Sequence, residues 1–148
     1  MKLHTASEVI SLIRTLENNS AEFYERLCQL GKHEEELRGF TRENRRNIVL
    51  VQQAYNNVIS DALEGGFAFD INANDFSLNL PEVVNFQEAI KGAVEIETTF
   101  THLYSIAAEQ SKSLLPDVSR VFSVIARKRQ ARMEKLSQFL SPLPDIPS

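Results

Sequence analysis

A chain of 148 residues has the length of one domain and can enclose one continuous core. With 43% hydrophobic and 24% charged residues, its composition is that of an ordinary globular protein and excludes intrinsic disorder. Its 16 basic and 20 acidic residues leave a net charge of −4, which argues against whole-chain attraction to nucleic acid or an anionic membrane. No run approaches the ~18 apolar residues of a membrane span and the N-terminus has no signal-peptide core, so the expected setting is soluble and cytoplasmic. The single cysteine, Cys28, lies in an apolar helical stretch with no histidine placed near it in the pattern. It reads as a buried, inert thiol rather than a nucleophile.

Five glycines and five prolines punctuate the chain. A first helix is expected from about Ser7, as N-cap, to about Leu30, with Gly31 as its stop. Its apolar stripe reads Val9, Ile13, Leu16, Ser20, Tyr24, Leu27. A second reads Leu37, Phe40, Asn44, Ile48, Val51, Tyr55, Val58, Ala62 and ends at Gly65. A third, starting near Pro81, reads Phe86, Ile90, Ala93, Glu97, Phe100, Tyr104, Ala108. A fourth, after Pro116, reads Val118, Phe122, Ile125, Arg129, Met133, Leu136, Leu140. Four helices with one apolar stripe each predict an all-α four-helix bundle over residues 1–141, followed by a Pro-rich tail over 142–148.

The links set the topology. Short links near Gly31–Glu34 and Lys112–Pro116 join antiparallel neighbours. The middle link runs from Gly65 to about Leu80. At roughly 3.3 Å per residue it can extend about 50 Å, more than the ~42 Å of a 28-residue helix, so a crossover along the whole bundle is within reach. Phe67, Phe69 and Ile71, then Phe76, Leu78 and Leu80, alternate with smaller or polar residues. That period of two predicts an extended strap with one face on the bundle.

Two segments eighty residues apart share a layout. Glu17 follows Leu16 and precedes Tyr24 by seven; Glu97 follows Ile96 and precedes Tyr104 by seven. Seven residues are two helical turns, so each glutamate lies on the apolar stripe of its own tyrosine. The repeated glutamate–tyrosine spacing, in the first and third helices of a duplicated hairpin, resembles the rubrerythrin-type ferritin-like family over residues 6–140. That resemblance implies a ferritin-like bundle with a long crossover between helices 2 and 3. It also implies a di-iron site: a glutamate from each of helices one and three, and Glu-x-x-His from each of helices two and four.

The chain departs from that pattern at the ligands. Where the family has Phe-x-x-Ile-Ala-x-x-Glu-x-x-His in helix four, this sequence keeps Phe122, Ile125 and Ala126. It places Arg129 at the glutamate and Arg132 at the histidine position. In helix two the stripe selects Asn44 and Asn47, whereas an ungapped comparison from Tyr24 selects Asn47 and Leu50. Glu-x-x-His occurs nowhere in the chain. His102, five residues after Glu97, is turned about 140° from it and is expected to point elsewhere.

Glu17, Asn44, Asn47, Glu97, Arg129 and Arg132 are thus the expected positions of a vestigial site, with no metal ligand, catalytic residue or cofactor among them. Two permanent cations where divalent ions would sit oppose metal binding, and two carboxylates balance two guanidinium groups. Buried ion pairs are then expected in place of a metal cross-link. The competing reading has Arg129 and Arg132 extending outward from a basic helix face. Arg38, Arg42, Arg45 and Arg46 make the outer face of helix two basic; Glu34–Glu36 are expected to neutralise them through i,i+4 pairs, leaving a solvated face.

Three functions from different classes follow. One is a non-catalytic structural, regulatory or partner-binding bundle, expected to form a homodimer and to bind neither nucleic acid nor membrane. The second is a metal-dependent, peroxidase- or oxidase-like oxidoreductase using Glu17 and Glu97, with Glu43 and Glu95. The third uses the arginine pair as a clamp for a small anion. No Gly-rich phosphate loop, catalytic triad or zinc-spaced Cys/His cluster points to another enzyme class.

Overall fold

Thr5, not Ser7, starts the first helix. In the computed structural model, which describes residues 1–58 and 68–140, Thr5 Oγ1 accepts the backbone N–H of Glu8 at 3.2 Å. The Glu8 carboxylate accepts that of Thr5 at 3.1 Å, completing a capping box. The Ser7 hydroxyl is bonded instead to the Tyr55 hydroxyl, at 2.8 Å. Helix α1 spans Ala6–Cys28 and stops two residues before the expected Leu30. Gly31 takes φ +80°, the left-handed conformation that ends helices at no steric cost.

Helix α2 spans Glu34–Val58; the side chain of Val58, and Ala62 and Gly65, lie outside the described residues. Helix α3 spans Phe86–Ser111, beginning five residues after the expected Pro81. Asn85 is its N-cap, accepting the Glu88 N–H at 3.0 Å, and residues 81–85 remain in the preceding link. Helix α4 spans Pro116–Phe139 with proline in its first turn, as expected. The tail over 142–148 lies outside the described residues.

Contacts fix the directions. Ser7 meets Tyr55, Arg14 meets Gln52 and Glu25 meets Arg45, so α1 and α2 are antiparallel. Gln87 reaches Phe139 while Ser119 reaches Ala108, so α3 and α4 are antiparallel. Between the hairpins, Tyr24 meets Glu97 and Tyr104 meets Glu17, which sets α3 antiparallel to α1. By elimination α2 and α3 run in the same direction. The chain must return along the bundle between them.

Residues 68–85 make that return along α3, taking its residues in reverse order. Asp70 and Gln110 exchange two hydrogen bonds of 2.8 and 3.1 Å, and the Phe76 ring lies 5.4 Å from that of His102. Farther down, Pro81 lies against Gly92, where a Cβ would stand 2.5 Å from the proline Cγ. At the strap's start β2 (Ile71–Asn72) pairs antiparallel with β1 (Lys2–Leu3), a two-stranded ribbon that the helical periodicity gave no reason to expect. Phe69, Ile71 and Phe76 are buried and Leu78 is half-buried, as the alternation predicts. Leu80 is exposed, contrary to it, and Phe67 lies outside the described residues.

The core lies between the four helices. The stripes expected for α1 and α3 are buried at every position. In α4 the inward positions after Arg129 are Arg132, Leu136 and Phe139, while Met133 and Leu140 sit half-buried at the edge. In α2, Leu37, Asn44, Asn47 and Val51 are buried, with Phe40, Ile48 and Tyr55 half-buried around them. Among the described residues, no helix is long and apolar enough to cross a membrane.

Candidate functional site

The structure brings all six expected positions together. Glu17, Asn44, Asn47, Glu97 and Arg129 have no exposed surface and Arg132 has 2%, which excludes arginines extended into solvent. Leu50, the alternative to Asn44, is half-buried and lines a surface groove. His102 is exposed and takes no part in the network.

Arg129 occupies the middle. Its Nη1 donates to both oxygens of Glu97 at 2.9 and 2.8 Å, and its Nη2 to Glu17 Oε1 at 2.5 Å. One guanidinium therefore ties α4 to α1 and α3 together. Its face lies 3.7 Å from the centre of the Phe100 ring, a cation–π contact that returns some of the lost hydration. The planar fork is what makes three such bonds possible at once, and a lysine ammonium has no equivalent geometry.

Arg132 ties α4 to α2. It donates to Asn44 Oδ1 at 2.6 Å, to Glu43 Oε1 at 2.5 Å and to the Phe40 carbonyl at 3.2 Å. Glu97 Oε2 is farther away, at 3.5 Å. The simple balance of two carboxylates against two arginines is thus corrected: the nearest carboxylate to Arg132 is Glu43, at the edge of the core with a side chain 31% exposed. Asn44 passes the network on to α1, donating to Ser20 Oγ at 2.8 Å and to the Glu17 carbonyl at 3.3 Å. Asn47 makes only a 3.4 Å contact with Glu17 Oε2.

The two tyrosines complete the carboxylate shells. Tyr104 donates to Glu17 Oε2 and Tyr24 to Glu97 Oε2, each at 2.5 Å. Every oxygen of both glutamates therefore accepts at least one hydrogen bond. Asn47 Oδ1 and the Nε atoms of Arg129 and Arg132 are buried without a hydrogen-bond partner, a debit against the network.

Burial pushes the Glu17 carboxyl up from its ordinary value, against the opposing pull of Arg129 and the Tyr104 hydroxyl. Burial pushes the phenols of Tyr24 and Tyr104 well up, and the carboxylate that each faces adds to the effect. For Arg129 burial alone favours the neutral form, but Glu17 and Glu97 outweigh it and hold the guanidinium protonated beyond its ordinary range. At neutral pH the phenols are hydrogen-bond donors and Arg129 is a fixed cation.

These residues do not fit the di-iron centre that the resemblance implies. The oxygens that would face metal ions accept from Arg129 and the tyrosines, and the remaining inward groups are amides and a second cation. Among the described residues, no group of three or more His, Cys, Asp or Glu is arranged to hold a metal ion. Outside the core, Cys28 is buried and burial raises its thiol, consistent with an unreactive side chain.

Two partners, Glu43 and Phe100, were not marked as such by the spacing. Glu43 precedes Asn44 by one residue, and only its edge position lets it reach inward. Phe100 stood on the stripe between Glu97 and Tyr104, but nothing in the spacing marked it as the face beneath a guanidinium. The tyrosines were placed on the correct faces, but each serves the glutamate of the other helix. Compared with known proteins, the chain matches no family model, no curated protein and no solved structure.

Proposed function

We propose that this chain is a non-catalytic ferritin-like bundle of the rubrerythrin type, in which an arginine–carboxylate network does the mechanical work of a metal centre. Its role on this reading is structural, regulatory or partner-binding, and its assembly a homodimer. The observation that carries the proposal is the Arg129 guanidinium, bonded between Glu17 and Glu97 in the bundle interior. Two antiparallel helical hairpins joined by one long return are also the connectivity of ferritin-like bundles. The carboxylate oxygens that a metal would need, those of Glu17 and Glu97, all accept hydrogen bonds from Arg129 or the tyrosines.

Elemental analysis tests the reading. Protein from an iron- and manganese-supplemented culture, dialysed before measurement, is expected to carry far less than one metal ion per chain. Stoichiometric iron or manganese would replace this reading with a metal-dependent oxidoreductase.

A further inference from the structure

The outer face of α2 carries a row of arginines that form no ion pair among the described residues. Arg38, Arg42 and Arg46 are exposed and recur every four residues, so they form a stripe about 12 Å long on one side of the helix. The pairs expected with Glu34–Glu36 are not formed: among the described residues, no carboxylate lies within ion-pair distance of these three arginines or of Lys128 on α4. Of the neighbouring acids, Glu25 is taken by Arg45 at 2.9 Å and Glu43 by Arg132. Glu34–Glu36 stay in the first turn of α2, where the positive end of the helix dipole favours them. Like charges one turn apart repel, so the stripe works against its own helix.

Arg42 lies between two grooves. One, of about 470 Å³, opens toward α1 and includes Arg38 and Arg45 with Glu25 and Glu34; the other, of about 650 Å³, opens toward α4 and includes Arg46, Leu50 and Lys128 with Glu43. At Gly39, on the rim of the second groove, the Arg42 guanidinium lies close over the helix, its Nη2 3.8 Å from where a Cβ would stand. Val49, 51% exposed, supplies an apolar spot beside the last arginine.

We propose that this face docks an acidic segment of a protein partner, with Asp or Glu carboxylates meeting Arg38, Arg42, Arg46 and Lys128 and an apolar side chain covering Val49. Charge complementarity selects the occupant: four cations with no ion pair among the described residues, gathered on one face of a chain whose net charge is −4. The chain's overall negative charge and the lack of an aromatic side chain lining either groove favour a peptide over single-stranded nucleic acid, which binds through stacking as well as charge. The proposal rests on reading the chain as a binding module. Its readout does not involve the bundle interior, so metal analysis and peptide binding fail independently.

The test is fluorescence anisotropy with a fluorescein-labelled oligoglutamate peptide of about ten residues, at low and at physiological salt. The full chain is expected to bind it in a salt-dependent manner. Arg38→Glu/Arg42→Glu/Arg46→Glu should weaken binding at least about tenfold, while Arg120→Glu elsewhere on the surface leaves it within about twofold. Arg38→Gln/Arg42→Gln/Arg46→Gln, which removes the mutual repulsion, keeps the test valid if the reversed variant folds poorly; it too should lose binding. No binding of the peptide, undiminished binding by the glutamine variant, or tighter binding of an oligothymidine of equal charge would overturn the proposal.

Discussion

Tyr104 on α3 donates its phenolic hydrogen to Glu17 on α1 at 2.5 Å, reaching past the glutamate of its own helix. Geometry requires the exchange. Glu97 and Tyr104 share a face but stand two turns, about 10.5 Å, apart along α3, too far for a hydrogen bond. Laying the same glutamate–tyrosine spacing on an antiparallel neighbour brings each tyrosine opposite the other helix's glutamate. Tyr24 accordingly donates to Glu97, also at 2.5 Å. The repeat is thus a reciprocal clamp between α1 and α3.

Tyr104→Phe and Tyr24→Phe keep the ring packing and remove only the donor. Each should destabilise the protein by about 1–3 kcal/mol, because a buried carboxylate oxygen loses its partner. Urea unfolding of the two variants checks this. Similar losses are expected, since both bonds have the same length and burial.

Arg129→Met should be far more damaging than Arg127→Met, although the two positions are two residues apart in the same basic run. The first strands Glu17 and Glu97 without their cation and should cost about 3–5 kcal/mol. The second alters an exposed side chain and should stay within about 0.5 kcal/mol. Arg129→Lys should recover only part of the loss, since one ammonium cannot bond both carboxylates in this geometry. Thermal melts of the three variants give the ranking directly.

Stability should fall as the solution is made alkaline. The folded chain holds Tyr24 and Tyr104 protonated beyond the pH at which free tyrosine ionises. Their contribution is therefore complete below about pH 10 and is lost above it, where the unfolded state releases protons that the folded state keeps. The slope is about 1.4 kcal/mol per pH unit for each phenol. Absorbance at the tyrosinate band should show two of the three tyrosines ionising only together with unfolding, and the Tyr→Phe variants should have a shallower alkaline fall.

Helical spacing made the inward positions of Glu17, Glu97 and Arg129 legible, because a charged residue in a strict three-and-four rhythm of apolar neighbours has nowhere else to point. The same rhythm carried Arg132 less clearly. It sits three residues beyond Arg129, off the expected Met133 stripe, and became a core position only because α4 turns its next inward face toward α2. Chain ends of helices were harder to read. Thr5 and Ser7 are both good caps by composition, and the choice depended on Glu8 reaching back to Thr5. Pro81 looked like a helix start, but its ring is used to pack on Gly92, a long-range contact that local sequence does not encode. The pairing of β1 with β2 links residues about seventy apart, with only two residues in each strand to signal it.

The Pro81–Gly92 contact yields its own test. Gly92→Ala would place a methyl group 2.5 Å from Pro81 Cγ, so the strap must move away from α3. Destabilisation of about 1–3 kcal/mol is expected despite the better helix propensity of alanine. Pro81→Ala in the same chain should recover much of it, whereas a loss unchanged by the second substitution would place the strain elsewhere.

The claim beneath all of these is that one guanidinium holds three helices together through two carboxylates. A double-mutant cycle between Glu97→Gln and Arg129→Met, measured by urea unfolding at neutral pH, tests it most directly. Strong non-additivity is expected: each single change is severe, and the double variant is little worse than Arg129→Met alone, with a coupling of about 2–3 kcal/mol. Losses that simply add would show that Arg129 and Glu97 do not depend on each other, and would contradict it.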